Sequence, residues 1–159
     1  MTLKAARRTA LELTVGLGAL IAPLVVHGDD REALDTHRRL WEQASIGAYV
    51  YAYQKYCECH RETPPETYVT VRDAKVVDVR HQPFGFDHYV QAEPRNFEWY
   101  WTIDDLFDLV GNALERGSVV RVAFDAELGF PTQVFIDHDA NLIGDEVDVR
   151  VTKLERLEE

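Results

Sequence analysis

Apolar and polar residues alternate along this chain in two periods, one helical and one extended. Residues 31–46, "REALDTHRRLWEQASI", place Leu34, Arg38, Trp41 and Ala44, with Leu40, on one face through steps of three and four. That spacing predicts an amphipathic helix, with Gly47 just past its end. "AYVYAYQKYCEC" follows, rich in Tyr and Val and alternating in parity, as a strand does. Tyr49, Tyr51, Tyr53, Cys57 and Cys59 share one side, with Lys55 interrupting; Val50, Ala52 and Tyr56 share the other. "ETPPE" reads as a loop. "TYVTVR" and "KVVDVR", separated by Asp73-Ala74, read as a hairpin with a two-residue turn.

The same order then recurs. Thr102, with Asp105 three residues on, has capping-box spacing. "IDDLFDLVGNALERG" places Leu106, Leu109, Val110 and Ala113 on one helical face and closes at Gly117. Asp104, Asp105 and Asp108 lie in its first half, where the helix dipole favours them. "SVVRVAF", "TQVFID" and "EVDVRVTKL" read as three more strands. At a shift of 66 residues, Leu40-Trp41 falls on Leu106-Phe107, Pro65 on Pro131 and Asp73-Ala74 on Asp139-Ala140. Both halves close on Val-Asp-Val-Arg. Two helix-strand-strand-strand units predict an α+β fold, mainly antiparallel, with both helices on one face of the sheet.

Between the halves, residues 81–101 break the pattern. Phe84, Phe86, Tyr89, Phe97, Trp99, Tyr100 and Trp101 make up seven of the chain's 17 aromatic residues. The alternation of Phe97, Trp99 and Trp101 predicts a short strand there. These rings either close the sheet's open face or edge, or present a surface to a partner or an apolar ligand. Phe84, Phe86, Tyr89, Phe97, Trp99 and Tyr100 are the candidate interaction residues.

From Trp41 onward the chain resembles a bacterial family known as domain of unknown function 6174. The resemblance is carried by "YVYAYQKYCEC", "VTVRDAKVVDV", "TIDDLFDLVGNAL", "FDAELGFPTQVFID" and "GDEVDVRV", in the family's order. It implies the fold and an exported or lipoprotein-like context, and no established activity. The chain departs from the family in lacking the lipoprotein cysteine. It also has Asp73-Ala74 where Asp-Gly is usual, and an unusually aromatic connection.

The first 28 residues follow a different logic. Lys4, Arg7 and Arg8 precede the 14-residue uncharged run Leu13–Val26, which ends in Val26-His27-Gly28. This is the order of a secretory signal, with cleavage expected after Gly28. The run is short for a spanning helix, which needs about 20 residues. The expected organisation is a signal peptide or N-terminal anchor over 1–28, then one α+β domain over 29–159. Membrane contact is expected only through the N-terminal segment. A formal net charge of −11 disfavours nucleic acid as a partner.

Export gives the two cysteines, Cys57 and Cys59, their interest. An oxidising compartment favours a disulfide. In a straight strand, however, residues i and i+2 stand about 6.6 Å apart at Cα, at the upper edge of disulfide geometry. Closing so small a loop stabilises by only about 1.6 kcal/mol. The alternatives are a soft-metal site on two thiolates, a redox role, or two thiols acting as small apolar groups. Strand parity points His60 away from both sulfurs; His81, His88 and His138 could join them only through the fold.

Asp137, Asp139, Asn141, Asp145 and Asp148 fall at positions 1, 3, 5, 9 and 12 of a calcium-loop count. Leu142 stands where an EF-hand requires glycine, so a looser cation site or a solvated acidic turn is expected. No nucleophile triad, phosphate loop or zinc-protease motif appears, and no cofactor motif. The residues point to an exported binding or interaction module of the bacterial envelope, with an envelope protein as partner. A soft-metal or redox protein and a secreted protein inhibitor are the alternatives.

Overall fold

The structure, a computed structural model, describes residues 26–27, 31–56, 64–83, 85–139, 141–142 and 144–158. In chain order the elements are β1 (Val26–His27), α1 (Arg31–Ala44), β2 (Ala48–Tyr56), β3 (Thr67–Arg72), β4 (Lys75–His81) and β5 (Val90–Gln91). A 3-10 helix (Pro94–Trp99), α2 (Ile103–Glu115), β6 (Val119–Phe124), β7 (Pro131–Asp137) and β8 (Val147–Arg156) follow. The strands form one sheet in the order β1-β6-β7-β8-β2-β3-β4-β5, and every adjacent pair is antiparallel. Each predicted unit contributes three neighbouring strands, β2-β3-β4 and β6-β7-β8. The seam between the units is the pairing of β2 with β8. The expected α+β architecture is the one observed.

Both helices lie on one face. Alternate residues of every long strand enter a single core with them: Tyr49, Tyr51 and Tyr53, Val69 and Val71, Val79, Val120 and Val122, Val134 and Ile136, and Val149. Leu34 and Trp41 of α1 and Ile103, Leu106, Phe107, Val110 and Ala113 of α2 complete it. The strongest tie between layers is polar. The Tyr49 hydroxyl accepts a 3.0 Å hydrogen bond from the Ile103 N–H, and the Tyr51 hydroxyl donates to the Trp101 carbonyl. Both bonds fall at the start of α2, where backbone N–H groups lack helical partners. Thr102 and Asp105 close the expected capping box there. At the other end Gly117, at φ +74°, carries a Schellman closure: its own N–H reaches Leu114 O and the Ser118 N–H reaches Ala113 O.

Two local expectations are corrected. Phe97, Trp99 and Trp101 do not alternate in a strand, because Pro94 opens the 3-10 helix and the backbone turns instead of extending. Only Val90–Gln91, earlier in that connection, pairs with β4. Helix α1 ends at Ser45, which takes the left-handed conformation at φ 48°, so the reversal falls two residues before Gly47.

Two turns carry the tightest backbone demands. Asp73 and Ala74 sit at φ 49° and 56°, as a two-residue hairpin turn requires. Gly129, at φ +78°, lets the β6–β7 turn lie under α1; a Cβ there would meet the His37 carbonyl and stand 2.8 Å from Leu40 Cβ. Ala74→Gly should therefore stabilise the protein by about 0.5–1 kcal/mol, and Gly129→Ala should destabilise it by about 2 kcal/mol or more. Urea unfolding monitored by circular dichroism measures both, and the opposite sign at either position would contradict the turn assignments.

Burial raises the hydroxyl pKa of Tyr49 and Tyr51 well above the usual tyrosine value, and that of Tyr53 to about 12. Because the folded values exceed the unfolded value near 10, this stabilisation is complete below about pH 10. It is lost as the pH rises through the folded values. Alkaline titration should show these phenols ionising together with loss of circular dichroism. Their reversible ionisation near pH 10 in a chain that stays folded would contradict the packing.

Candidate functional site

With both helices on one face, the other face of the sheet carries no helix among the described residues. Strand register assembles it. Arg121 of β6, Phe135 of β7, Asp148 of β8 and Tyr56 of β2 stand directly opposite one another in one row. Lys153 of β8, Ala52 of β2, Tyr68 of β3, Arg80 of β4 and Gln91 of β5 make a second row. Between them run Gln133, Arg150 and Gln54. A register shift in the β2–β8 pairing, next to Ala52 and Tyr53, leaves Thr152 without an opposite partner. It thereby keeps Arg150 and Lys153 on the same side despite their odd spacing.

On this face cations lie over rings. The guanidinium of Arg121 is 3.9 Å from the Phe135 centroid and that of Arg150 is 4.3 Å from Tyr56. Arg80 and Lys153 approach the Tyr68 ring at 5.3 and 5.8 Å. Glu66 joins β3 to β8: it accepts from the Tyr68 hydroxyl at 2.6 Å and from Thr152 at 2.7 Å, and the Lys153 ammonium is 3.4 Å away. These donors hold the Glu66 carboxyl below its usual range, and the facing carboxylate raises the Tyr68 hydroxyl. Tyr89 packs edge-on against Tyr68 at 5.6 Å, adding to the aromatic surface over β3.

The aromatic connection divides. Phe97 and Tyr100 are half-buried against the core, as is Trp101, whose ring lies 5.4 Å from the Lys55 ammonium. Phe86, Tyr89 and Trp99 are 56, 44 and 67% exposed. Phe84 lies outside the described residues, as do Cys57, Cys59 and His60. The strand leading to the cysteines is described as far as Tyr56, which pairs with Asp148 at the end where β8 begins.

The acidic turn lies at that same end. Asp139 Oδ1 accepts from the backbone and side-chain nitrogens of Asn141, and Asp145 Oδ2 accepts from the Asp139 N–H. The two bonds from Asn141 hold the Asp139 carboxyl low, and all three shape the turn. Asp148 belongs instead to the β8 row, 3.7 Å from Arg150. One oxygen each of Asp137, Asp145 and Asp148 is buried without a hydrogen-bond partner. Even so, the described residues contain no group of three or more His, Cys, Asp or Glu side chains placed to hold one metal ion. The turn thus joins Asp139, Asn141 and Asp145 and leaves Asp137 and Asp148 on the strands.

Two shallow cavities flank the β3–β4 turn. One, of about 370 Å³, lies beside Trp41, Glu42, Tyr49 and Asp104; the other, of about 430 Å³, lies beside Lys75, Phe97, Tyr100 and Asp105. Burial raises the Asp104 carboxyl above its usual value. No helix of the described residues is long and apolar enough to cross a membrane.

The two-unit sheet and its helices are those of a known sequence family, the family of unknown function DUF6174, which matches over residues 33–156. The chain belongs to that family. No curated protein and no solved structure matches it. For this DUF6174 protein the site must therefore be argued from its own geometry. Register supplies the residues that composition alone did not single out: Tyr56, Tyr68, Arg80, Arg121, Phe135, Arg150 and Lys153. Their signal in the sequence was parity, since each lies opposite in phase to the residues of its own strand that enter the helix-side core, apart from the one-residue correction at the β8 irregularity.

Proposed function

We propose that the protein is an exported binding module of the bacterial envelope, and that its partner surface is the helix-free face of the sheet, with Tyr89 at one end. One observation carries this reading: a sheet face spanning both units, free of helices among the described residues, on which Arg and Lys lie over Tyr and Phe. Aromatic residues and Arg are the types enriched at the centres of protein interfaces. Most cations on this face are already ordered by the rings beneath them, which lowers the entropy lost on binding. The N-terminal pattern of Lys4, Arg7 and Arg8 followed by Leu13–Val26 supports export. Cleavage after Gly28 would also release Val26–His27 from β6 and uncover that strand's edge. In an oxidising compartment Cys57 and Cys59 would meet conditions that favour a disulfide.

A secreted inhibitor is the second reading. It is favoured by the tandem construction, in which two three-strand units meet at the β2–β8 seam and offer one broad face to a target. The soft-metal and redox alternatives rest on Cys57 and Cys59, which lie outside the described residues.

Site-specific photo-crosslinking in the producing cells tests the main reading. A photoreactive residue at position 68 or 135, on the helix-free face, should give a discrete heavier adduct. The same residue at position 43, on exposed α1, should not. Equal labelling from both faces, or none from positions 68 and 135, would contradict it.

A further inference from the structure

The two edges of the sheet are guarded differently. At one edge, the pairing of β3 with β4 slips between Thr70 and Val71, and Val77 of β4 stands without an opposite partner. That bulge, Lys75 at the start of the strand and the two-residue β5 outside it all blunt the edge against further strands. The Ala92 N–H adds a 2.8 Å bond to the Val79 carbonyl. At the other edge β6 runs six residues, "VVRVAF", with neither lysine nor proline. Its ladder with β7 is regular from Val119 to Ala123. Among the described residues, the strand paired along its outer side is β1 alone, with Val26 opposite Val122 and His27 opposite Arg121.

Val26 and His27 belong to the segment whose charged start, apolar run and small-residue end read as a secretory signal closing at Gly28. Cut after Gly28, the chain loses this guard and bares the backbone N–H and C=O groups of a mostly apolar strand. The strand can pair with itself. Antiparallel strands related by a two-fold axis make an isologous contact, in which both copies offer the same surface. With the axis at Val122, that residue stands opposite its counterpart, as it now stands opposite Val26. Arg121 then lies opposite Ala123 of the second copy, and Val120 opposite its Phe124. Opposite residues share a face, so the helices of both copies stay on one side of the joined sheet. Val120, Val122 and Phe124, which enter the core of each copy, then continue across the joint. An axis at Arg121 would set two guanidinium groups directly opposite, and such like-charge pairs are destabilising. An axis at Val120 or Ala123 would pair only three of the six β6 residues, against five at Val122.

Resting on the reading that the segment through Gly28 is removed on export, we infer that the released β6 edge pairs with β6 of a second copy, antiparallel about a two-fold axis at Val122. The two sheets then continue into one, and the helix-free faces of the two copies form a single surface.

Protein purified from the producing cells tests the inference. Intact mass gives the N-terminus, and analytical ultracentrifugation gives the oligomeric state. A chain beginning at Asp29 should sediment at about twice the mass of one copy. The dimer fraction should rise with salt, which screens the repulsion between two acidic copies. Residues directly opposite in an antiparallel pair stand about 4.5–5.5 Å apart at Cα, within disulfide reach. Val122→Cys should therefore cross-link on mild oxidation into a dimer that a reductant releases. Position 119 lies about 20 Å from its counterpart in this register, so Val119→Cys should give at least about tenfold less such dimer and no more than the wild type. A chain that begins at Asp29 and stays monomeric would overturn the inference alone. A monomer that keeps Val26–His27 would overturn it together with the cleavage reading. A dimer that keeps Val26–His27, or one in which Val122→Cys cross-links no better than Val119→Cys, would also overturn it.

Discussion

Three tyrosines on one side of β2 decide where everything else goes. Tyr49, Tyr51 and Tyr53 are buried, and two of their hydroxyls bond backbone groups on either side of the α2 N-cap. A buried hydroxyl without a partner is costly, so these bonds fix which face of the sheet α2 covers. Helix α1 follows onto the same face. Trp41 meets Tyr49 and Phe130 edge-on, and His37 stacks on Phe124 at 4.2 Å. Partial burial in that stack lowers the His37 pKa.

The consequence lies on the opposite side. With both helices committed, the second face must be made compatible with water without a helical layer from the described residues. This chain achieves that by laying long cationic side chains over half-buried rings, so that the stems and the guanidinium planes shield apolar surface. The same arrangement that keeps the face soluble also orders its donors. Solubility and recognition are thus two uses of one set of contacts, and the helix-free face is both a structural by-product of the tyrosine ladder and the best-formed candidate surface of the molecule.

Much of this was legible in the sequence. Helical periodicity placed α1 and α2, and parity placed the tyrosines together. The repeated order anticipated two three-strand units. Thr102 and Asp105 announced their capping box, and Asp73-Ala74 their turn. The 81–101 connection was less legible. Alternation of Phe97, Trp99 and Trp101 resembles a strand, but the Pro94 start and the short 3-10 turn dominate, so Phe97 and Tyr100 go inward while Trp99 goes out. The helix-free face was not legible as a site, because its residues are scattered over six strands. Arg121 and Phe135 become neighbours only through register, and Arg150 and Lys153 share a face only through the irregularity beside Ala52. A single-residue slip in β8 would send those cations to the core.

The central claim is that the cations of β4, β6 and β8 sit on rings at a solvent-open face while the β2 tyrosines do not reach solvent. Side-chain NMR with a soluble paramagnetic agent measures both at once. The account predicts upfield ring-current shifts at Arg121 and Arg150, strong broadening of the Arg80, Arg121 and Arg150 signals, and untouched ring signals from Tyr49, Tyr51 and Tyr53. Protected arginines, or arginines without ring-current shifts, would contradict it.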